Sequence, residues 1–208
     1  MVLIGLIGEA GSGKDTFADY LKKRHSVTLY TLANPIKEIT RHMFLFSDEQ
    51  LHGNLKNVVD ERWGITPRES WQIIGTNIMQ FQIYGLLPHL INKVPVREFW
   101  IHHFKMWYDD FIQNKTNIQH NSENNEKHVI VTDVRFQHEA DMITQMGGYL
   151  IKIIRPSLDK SNELYKHCSE TSISTMKVNY TVVNDDTLEK LYTIADAIFN
   201  DAVSRQKI

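Results

Sequence analysis

The chain has 208 residues, 42% of them hydrophobic, which suits one α/β domain with an elaboration and is too little for two full domains. Its formal charge of −2 excludes the basic surface on which non-specific binding to nucleic-acid polymers depends. One cysteine, Cys168, excludes an internal disulfide, no CxxC or HExxH spacing offers a zinc site, and no apolar run approaches the roughly 20 residues of a membrane helix, so a soluble cytoplasmic protein is expected.

The first predicted element is a buried strand over Val2 to Ile7, and Gly8 to Thr16 follow it as GEAGSGKDT. Gly8, four residues, Gly13 and Lys14 have the spacing of a phosphate-binding loop. Bare backbone N–H groups wrap a polyphosphate, the lysine ammonium reaches its β and γ phosphates, and a helix starting near Asp15 adds its positive end. The position after the lysine, usually a Ser or Thr that holds Mg²⁺, is Asp15, with Thr16 one step later.

A second strand is expected over Val27 to Thr31, and the long interval after it is helical in pattern. Asn34-Pro35 reads as a helix start, with Asn34 as N-cap and Ile36, Ile39, Met43 and Phe44 on one apolar face. Thr66-Pro67-Arg68-Glu69 combines a capping box with proline in the first turn. On the helix that follows, Trp71, Ile74, Ile78 and Phe81 form an expected core face, beside a stripe of Arg68, Gln72, Gly75 and Thr76. A glycine inside a helix costs about 1 kcal/mol relative to alanine, so Gly75 needs a reason: close approach of a nucleotide, or a tight helix crossing. Val96 to Ile112 read as a long amphipathic helix carrying Trp100, and Gln113 to Lys127 as an exposed polar loop.

Val129 to Thr132 form the third predicted strand, with Asp133 at its C-terminal edge, where ligands bind in open parallel sheets. Arg135 and Glu139 follow at the start of a helix that Gly147-Gly148 ends. Two readings stand there: a carboxylate that orients Mg²⁺ or substrate, or an Asp N-cap with an Arg–Glu surface pair. The fourth strand is expected over Tyr149 to Ile154, followed by a polar stretch, 156–178, that suits a lid or a plain surface excursion. A fifth strand over Tyr180 to Val183, the turn Asn184-Asp185-Asp186-Thr187 and a helix with Leu191, Ala195 and Phe199 on one side complete a mainly parallel five-stranded sheet flanked by helices.

SGKDT at Ser12, LANPIKE at Leu32, PRESWQIIGTN at Pro67, Trp100, TDVRFQHEAD at Thr132, HCSE at His167 and VVND at Val182 together resemble the deoxynucleoside monophosphate kinases of bacteriophages, over nearly the whole chain. Aspartate after the loop lysine is usual in that family. The resemblance implies a P-loop kinase fold in a single domain, with a helical nucleoside monophosphate-binding region at 34–112 and a lid at 156–178. It implies ATP and Mg²⁺ at Gly11, Ser12, Gly13, Lys14, Asp15 and Thr16, with Asp15 and Thr16 nearest the metal. Lys37, Arg68, Gly75, Thr76, Trp100, Asp133, Arg135, Glu139 and the lid residue Glu170 would meet the deoxynucleoside monophosphate. Lys14, Asp15, Arg68, Asp133 and Arg135 would carry the in-line transfer. Relatives are often dimers, so a homodimer is compatible. Glu9-Ala10 depart from relatives with basic residues beside the phosphates. The competing expectations are another small-acceptor kinase, similar to dephospho-coenzyme A kinase, or a protein that senses ATP without turnover.

Overall fold

Five strands, all parallel, stand in the order β2-β3-β1-β4-β5 in a computed structural model that describes residues 1–116, 128–158 and 176–206. They are β1 (Leu3–Ile7), β2 (Val27–Tyr30), β3 (His128–Val134), β4 (Tyr149–Ile154) and β5 (Tyr180–Val183). Every residue of β1 is buried, as expected of a central strand covered on both faces. The expected sheet is therefore present, with β4 and β5 where expected and the ends of β1, β2 and β3 shifted by one or two residues.

The chain divides into two compact units, one of Met1–Thr31 with His120–Ile208 and one of Leu32–Gln119. In the first, α1 (Lys14–Arg24) and α8 (Leu188–Arg205) lie against one sheet face. There Phe17, Leu21, Leu191, Ala195 and Phe199 join Ile4, Leu6, Ile130 and Ile151 in one core. α7 (Gln137–Gln145) takes the other face, close enough that a side chain at Gly5 would meet Ile143 and Leu150. The buried imidazole of His128 accepts the N–H of Val2 at Nδ1 over 3.0 Å, fixing the start of β1 beside β3.

The second unit is helical: α2 (Asn34–Phe44), α3 (Asp48–His52), α4 (Pro67–Gln72), a π-helix over Ile73–Gln82, α5 (Ile83–Leu86) and α6 (Phe99–Thr116). The capping box at α4 is present: Thr66 Oγ1 accepts the N–H of Glu69 at 3.1 Å and the Glu69 carboxylate accepts that of Thr66 at 3.4 Å.

Three local expectations are corrected. α2 starts a residue early, so Asn34 lies in the first turn behind Ala33 as N-cap with no side-chain cap; Ile36 is buried, but Ile39 and Met43 are exposed. The face Trp71, Ile74, Ile78, Phe81 is not a closed core: the first three are half-buried and Phe81 is 45% exposed, while Gly75 and Gln80 are buried. Hydrogen bonds from i to i+5 put residues five apart on one side, which redistributes a face laid out for an ordinary helix. α6 starts at Phe99 and leaves Val96 exposed, because Arg97 takes a left-handed φ of 73° with its N–H donated to the Gln80 carbonyl at 3.1 Å.

The described part of the expected lid is confined to its ends, and Glu170 lies outside the described residues, as does most of the 113–127 loop. Among the described residues no helix is long and apolar enough to cross a membrane.

Candidate active site

The loop from Gly8 to Gly13 joins the C-terminal end of β1 to α1. Gly11 and Gly13 hold φ of 80° and 98°, the left-handed region in which a Cβ is strained. Gly13 is the N-cap of α1 and brings no side-chain cap, so the first N–H groups of an 11-residue helix are not met by a capping side chain. Those donors and the positive end of the helix face the same place, which is the arrangement an anion requires. Ser12 is buried, its N–H donates to the Glu9 carbonyl at 3.1 Å, and its Oγ has no hydrogen-bond partner among the described residues.

Lys14 opens α1 with its side chain 12% exposed, and its ammonium lies 3.3 Å from the carboxylate of Asp15, which is 77% exposed. An open pair of this kind is worth about 0 to 1 kcal/mol, so it is readily exchanged for stronger partners. The expected loop residues, Gly11 to Thr16, are thus contiguous around one helix terminus.

Behind the loop stands a residue whose sequence context marks only the start of a turn. Asn184, directly after β5, donates from Nδ2 to the carbonyl of Ser12 at 2.9 Å, while its own N–H is bound to the Ile154 carbonyl at 2.7 Å. The signal was available, since a polar residue just past a buried strand at the C-terminal edge is what marked Asp133.

At that edge β3 carries Thr132 and Asp133. The hydroxyls of Thr31 and Thr132 are 3.1 Å apart. Burial, and then the charge of Asp133, pushes the phenol of Tyr30 up to about 12. Asp133 is not the helix cap of the second reading, because α7 begins at Gln137 behind Phe136. Nor does Glu139 form a surface pair. It is buried, and its Oε2 accepts the backbone N–H groups of Arg135 at 2.8 Å and Phe136 at 3.0 Å. Burial raises its pKa to about 7 against the lowering effect of those two donors. Glu139 therefore fixes the turn that carries Arg135.

In the helical unit, the ammonium of Lys37 on α2 lies 5.2 Å from the ring centroid of Trp71. Arg68 is half-buried on α4, and Thr76 is exposed. Of the two reasons considered for Gly75, the tight crossing is the one observed: a Cβ there would be 3.2 Å from Ile36 Cγ1. Trp100 is only 8% exposed, and its indole N–H donates to the Gly75 carbonyl at 2.8 Å. Lys37, Arg68, Gly75, Thr76 and Trp100 are thus held in one unit, while the phosphate loop, Asp133, Arg135 and Glu139 belong to the other.

Two overlapping stretches, residues 2–60 and 47–194, match the family model described as deoxynucleotide monophosphate kinase. Over 197 residues the chain is 38% identical to a protein of Acanthamoeba polyphaga mimivirus that carries this description provisionally, with 93% of each chain covered. It is 24% identical over 245 residues to the deoxynucleotide monophosphate kinase of Enterobacteria phage T4, covering 93% of this chain and 96% of the phage protein. A solved dephospho-CoA kinase from Campylobacter jejuni aligns at 12% identity with a TM-score of 0.43, covering 96% of each chain, a likeness too slight to bear on the acceptor. With a glycine-rich loop built for a polyphosphate, and matches that run through most of its length, this chain belongs to the deoxynucleotide monophosphate kinase family.

Proposed function

We propose that this protein transfers the γ-phosphoryl group of ATP, in line, to an α-phosphate oxygen of a deoxynucleoside monophosphate, yielding ADP and a deoxynucleoside diphosphate. The observation that carries this reading is the phosphate loop: two left-handed glycines, a helix N-terminus without a side-chain cap, and Lys14 at its first position. The P–O bond between the β-bridging oxygen and the γ-phosphorus breaks as the acceptor oxygen bonds to that phosphorus. The acceptor is already an anion, so no general base and no covalent enzyme intermediate are required.

The protein's task is then to hold two polyanions together and offset their repulsion. Backbone N–H groups of Gly11, Gly13 and Lys14 hold the β-phosphate, while that of Ser12 stays on the Glu9 carbonyl, and the Lys14 ammonium follows charge onto the bridging oxygen. Asp15 and Thr16 would hold Mg²⁺: an exposed carboxylate beside a hydroxyl, completed by phosphate oxygens and water, fits its preference for a few hard oxygen ligands. Held there, the ion would supply positive charge against that of the nucleotide phosphates. The Lys14 ammonium, held by Asp15 only in an open pair, would be left to the phosphates.

Arg68 and Lys37 suit a grip on the acceptor monophosphate, and Arg135 suits the charge that develops during transfer. Asp133, Thr76, Gly75, Trp100 and Glu170 complete the acceptor side in this reading, with Glu139 acting by holding Arg135. Both substrates are cytoplasmic metabolites, so the cytoplasm is where the enzyme would work. Acceptor profiling tests the proposal: with ATP, Mg²⁺ and the common ribo- and deoxyribonucleoside monophosphates, ADP formation is expected with at least one deoxynucleotide. Turnover of a different acceptor with none of the deoxynucleotides would overturn it.

A further inference from the structure

We infer that Asn184 is a positioning residue for the phosphate loop, setting the direction of a backbone donor that binds ATP. One peptide plane joins Ser12 to Gly13. A trans peptide is planar, with its C=O and N–H pointing in opposite directions. The Ser12 carbonyl is drawn to Asn184 Nδ2 at 2.9 Å. The Gly13 N–H of the same plane therefore points away from Asn184. If this plane turned over, a carbonyl oxygen would replace an amide hydrogen in the anion cradle, and a phosphate would meet a repelling dipole.

Asn184 can hold that plane because the sheet holds Asn184. Its N–H is bound to the Ile154 carbonyl at 2.7 Å, continuing the pairing in which Ile154 stands opposite Val183. On its C-terminal side the chain is fixed within three residues, where Thr187 caps α8 by accepting the N–H of Lys190 at 3.4 Å. Gly13 completes the fit, since a Cβ on it would lie against Asn184 Nδ2 and within 3.8 Å of Leu191. Absence of a side chain at Gly13 thus serves both the left-handed turn and the approach of the Asn184 amide. A rigid connection runs from β4 through Asn184 to the Ser12–Gly13 peptide.

This inference rests on the loop being the ATP site, and its test reads ATP binding separately from turnover. Asn184→Ala removes the donor and leaves space. Asn184→Asp keeps the shape but sets a carboxylate against the Ser12 carbonyl, which favours turning the peptide over. If Asn184 only filled space, Asp would be the milder change. If it orients the peptide, Asp is the more harmful.

The dissociation constant for ATP with Mg²⁺ is measured by titration calorimetry, and KM values for ATP and for the acceptor by steady-state kinetics. Asn184→Ala is expected to weaken ATP binding about tenfold and Asn184→Asp more than that, with the acceptor KM within about twofold of wild type. ATP affinities within twofold of wild type in both variants, Asp milder than Ala, or an equal rise in the acceptor KM would each overturn the inference. So would failure of both variants to keep the wild-type circular dichroism spectrum and melting transition, which would make Asn184 a folding residue. Wild-type ATP binding without deoxynucleotide kinase activity would count against the proposed reaction alone, and the calorimetric comparison would still decide the role of Asn184.

Discussion

Trp100 and Gly75 are joined by a hydrogen bond of 2.8 Å from indole N–H to backbone carbonyl, tying α6 to the π-helix 25 residues earlier. The bond is buried, so its loss leaves a carbonyl without that donor in a place water does not reach. Trp100→Phe keeps an aromatic ring but removes the donor together with part of the buried bicycle, and is expected to lower stability by about 1 to 3 kcal/mol in urea titration. Trp100→Ala should cost about 3 to 5 kcal/mol. An acceptor KM that rises in Trp100→Ala but not in Trp100→Phe, both assayed where they remain folded, is the outcome expected if the ring also contacts the base.

Gly75→Leu bears on the same crossing. A Cβ at this position is already 3.2 Å from Ile36, so the added methyl groups have nowhere to go without moving α2. A loss of about 1 to 3 kcal/mol by thermal or urea unfolding is expected, in place of a purely kinetic effect on a folded enzyme. Gly75→Ala places its Cβ at the same contact, and Ile36→Ala, which removes the nearby Cγ1, should make that change less costly; additive effects of the two changes would show that they do not share this contact.

Glu139 makes stability depend on pH in an unusual direction for a carboxylate. Burial raises its pKa from 4.5 to about 7, so the folded protein keeps a proton that the unfolded chain releases. That contribution is complete below about pH 4.5 and is lost as pH rises through about 7, at no more than about 1.4 kcal/mol per pH unit. Glu139→Gln retains an oxygen acceptor for the Arg135 and Phe136 N–H groups but does not titrate. Melting curves collected over this range should show wild type falling relative to Glu139→Gln as pH rises, and parallel curves would contradict the assignment.

Lys14 and Asp15 should separate by their effects. Lys14→Ala is expected to reduce turnover by about 10²- to 10³-fold, since it removes a charge from the transition state, and a melting curve separates that loss from the packing of a side chain only 12% exposed. Asp15→Asn should instead raise the Mg²⁺ concentration for half-maximal activity by about tenfold or more, while saturating Mg²⁺ restores much of the rate. A magnesium titration superimposable on that of wild type would remove Asp15 from the metal.

What the sequence makes legible is what local chemistry decides. Five apolar runs, a glycine-rich loop after the first, and the Thr66–Glu69 capping box all carry their structure in neighbouring residues. The π-helix does not. Trp71, Ile74, Ile78 and Phe81 have ordinary helical spacing, and only packing against Ile36 and Trp100 accompanies the wider turn that buries Gly75 and Gln80. Spacing alone leaves Glu139 between a place at the substrate and a surface pair with Arg135. Its two backbone donors come from the turn after β3, whose path no residue pattern announces. The pattern around Asn184 announces only a turn for a similar reason, because its partner, the Ser12 carbonyl, is 172 residues away.

The sheet order also dictates when the enzyme becomes competent during its own synthesis. β1 leads straight into the phosphate loop, yet both its neighbours come from the second half of the chain, β3 with Leu3 opposite Val129 and β4 with Ile4 opposite Tyr149. The helical unit, by contrast, is one continuous stretch, Leu32–Gln119, and has all its own residues before β3 is made. Pairings between distant segments form slowly, because a long loop must close before any contact rewards it. The glycine-rich loop is thus made well before β3, β4 and Asn184, and takes its final shape only once they have arrived.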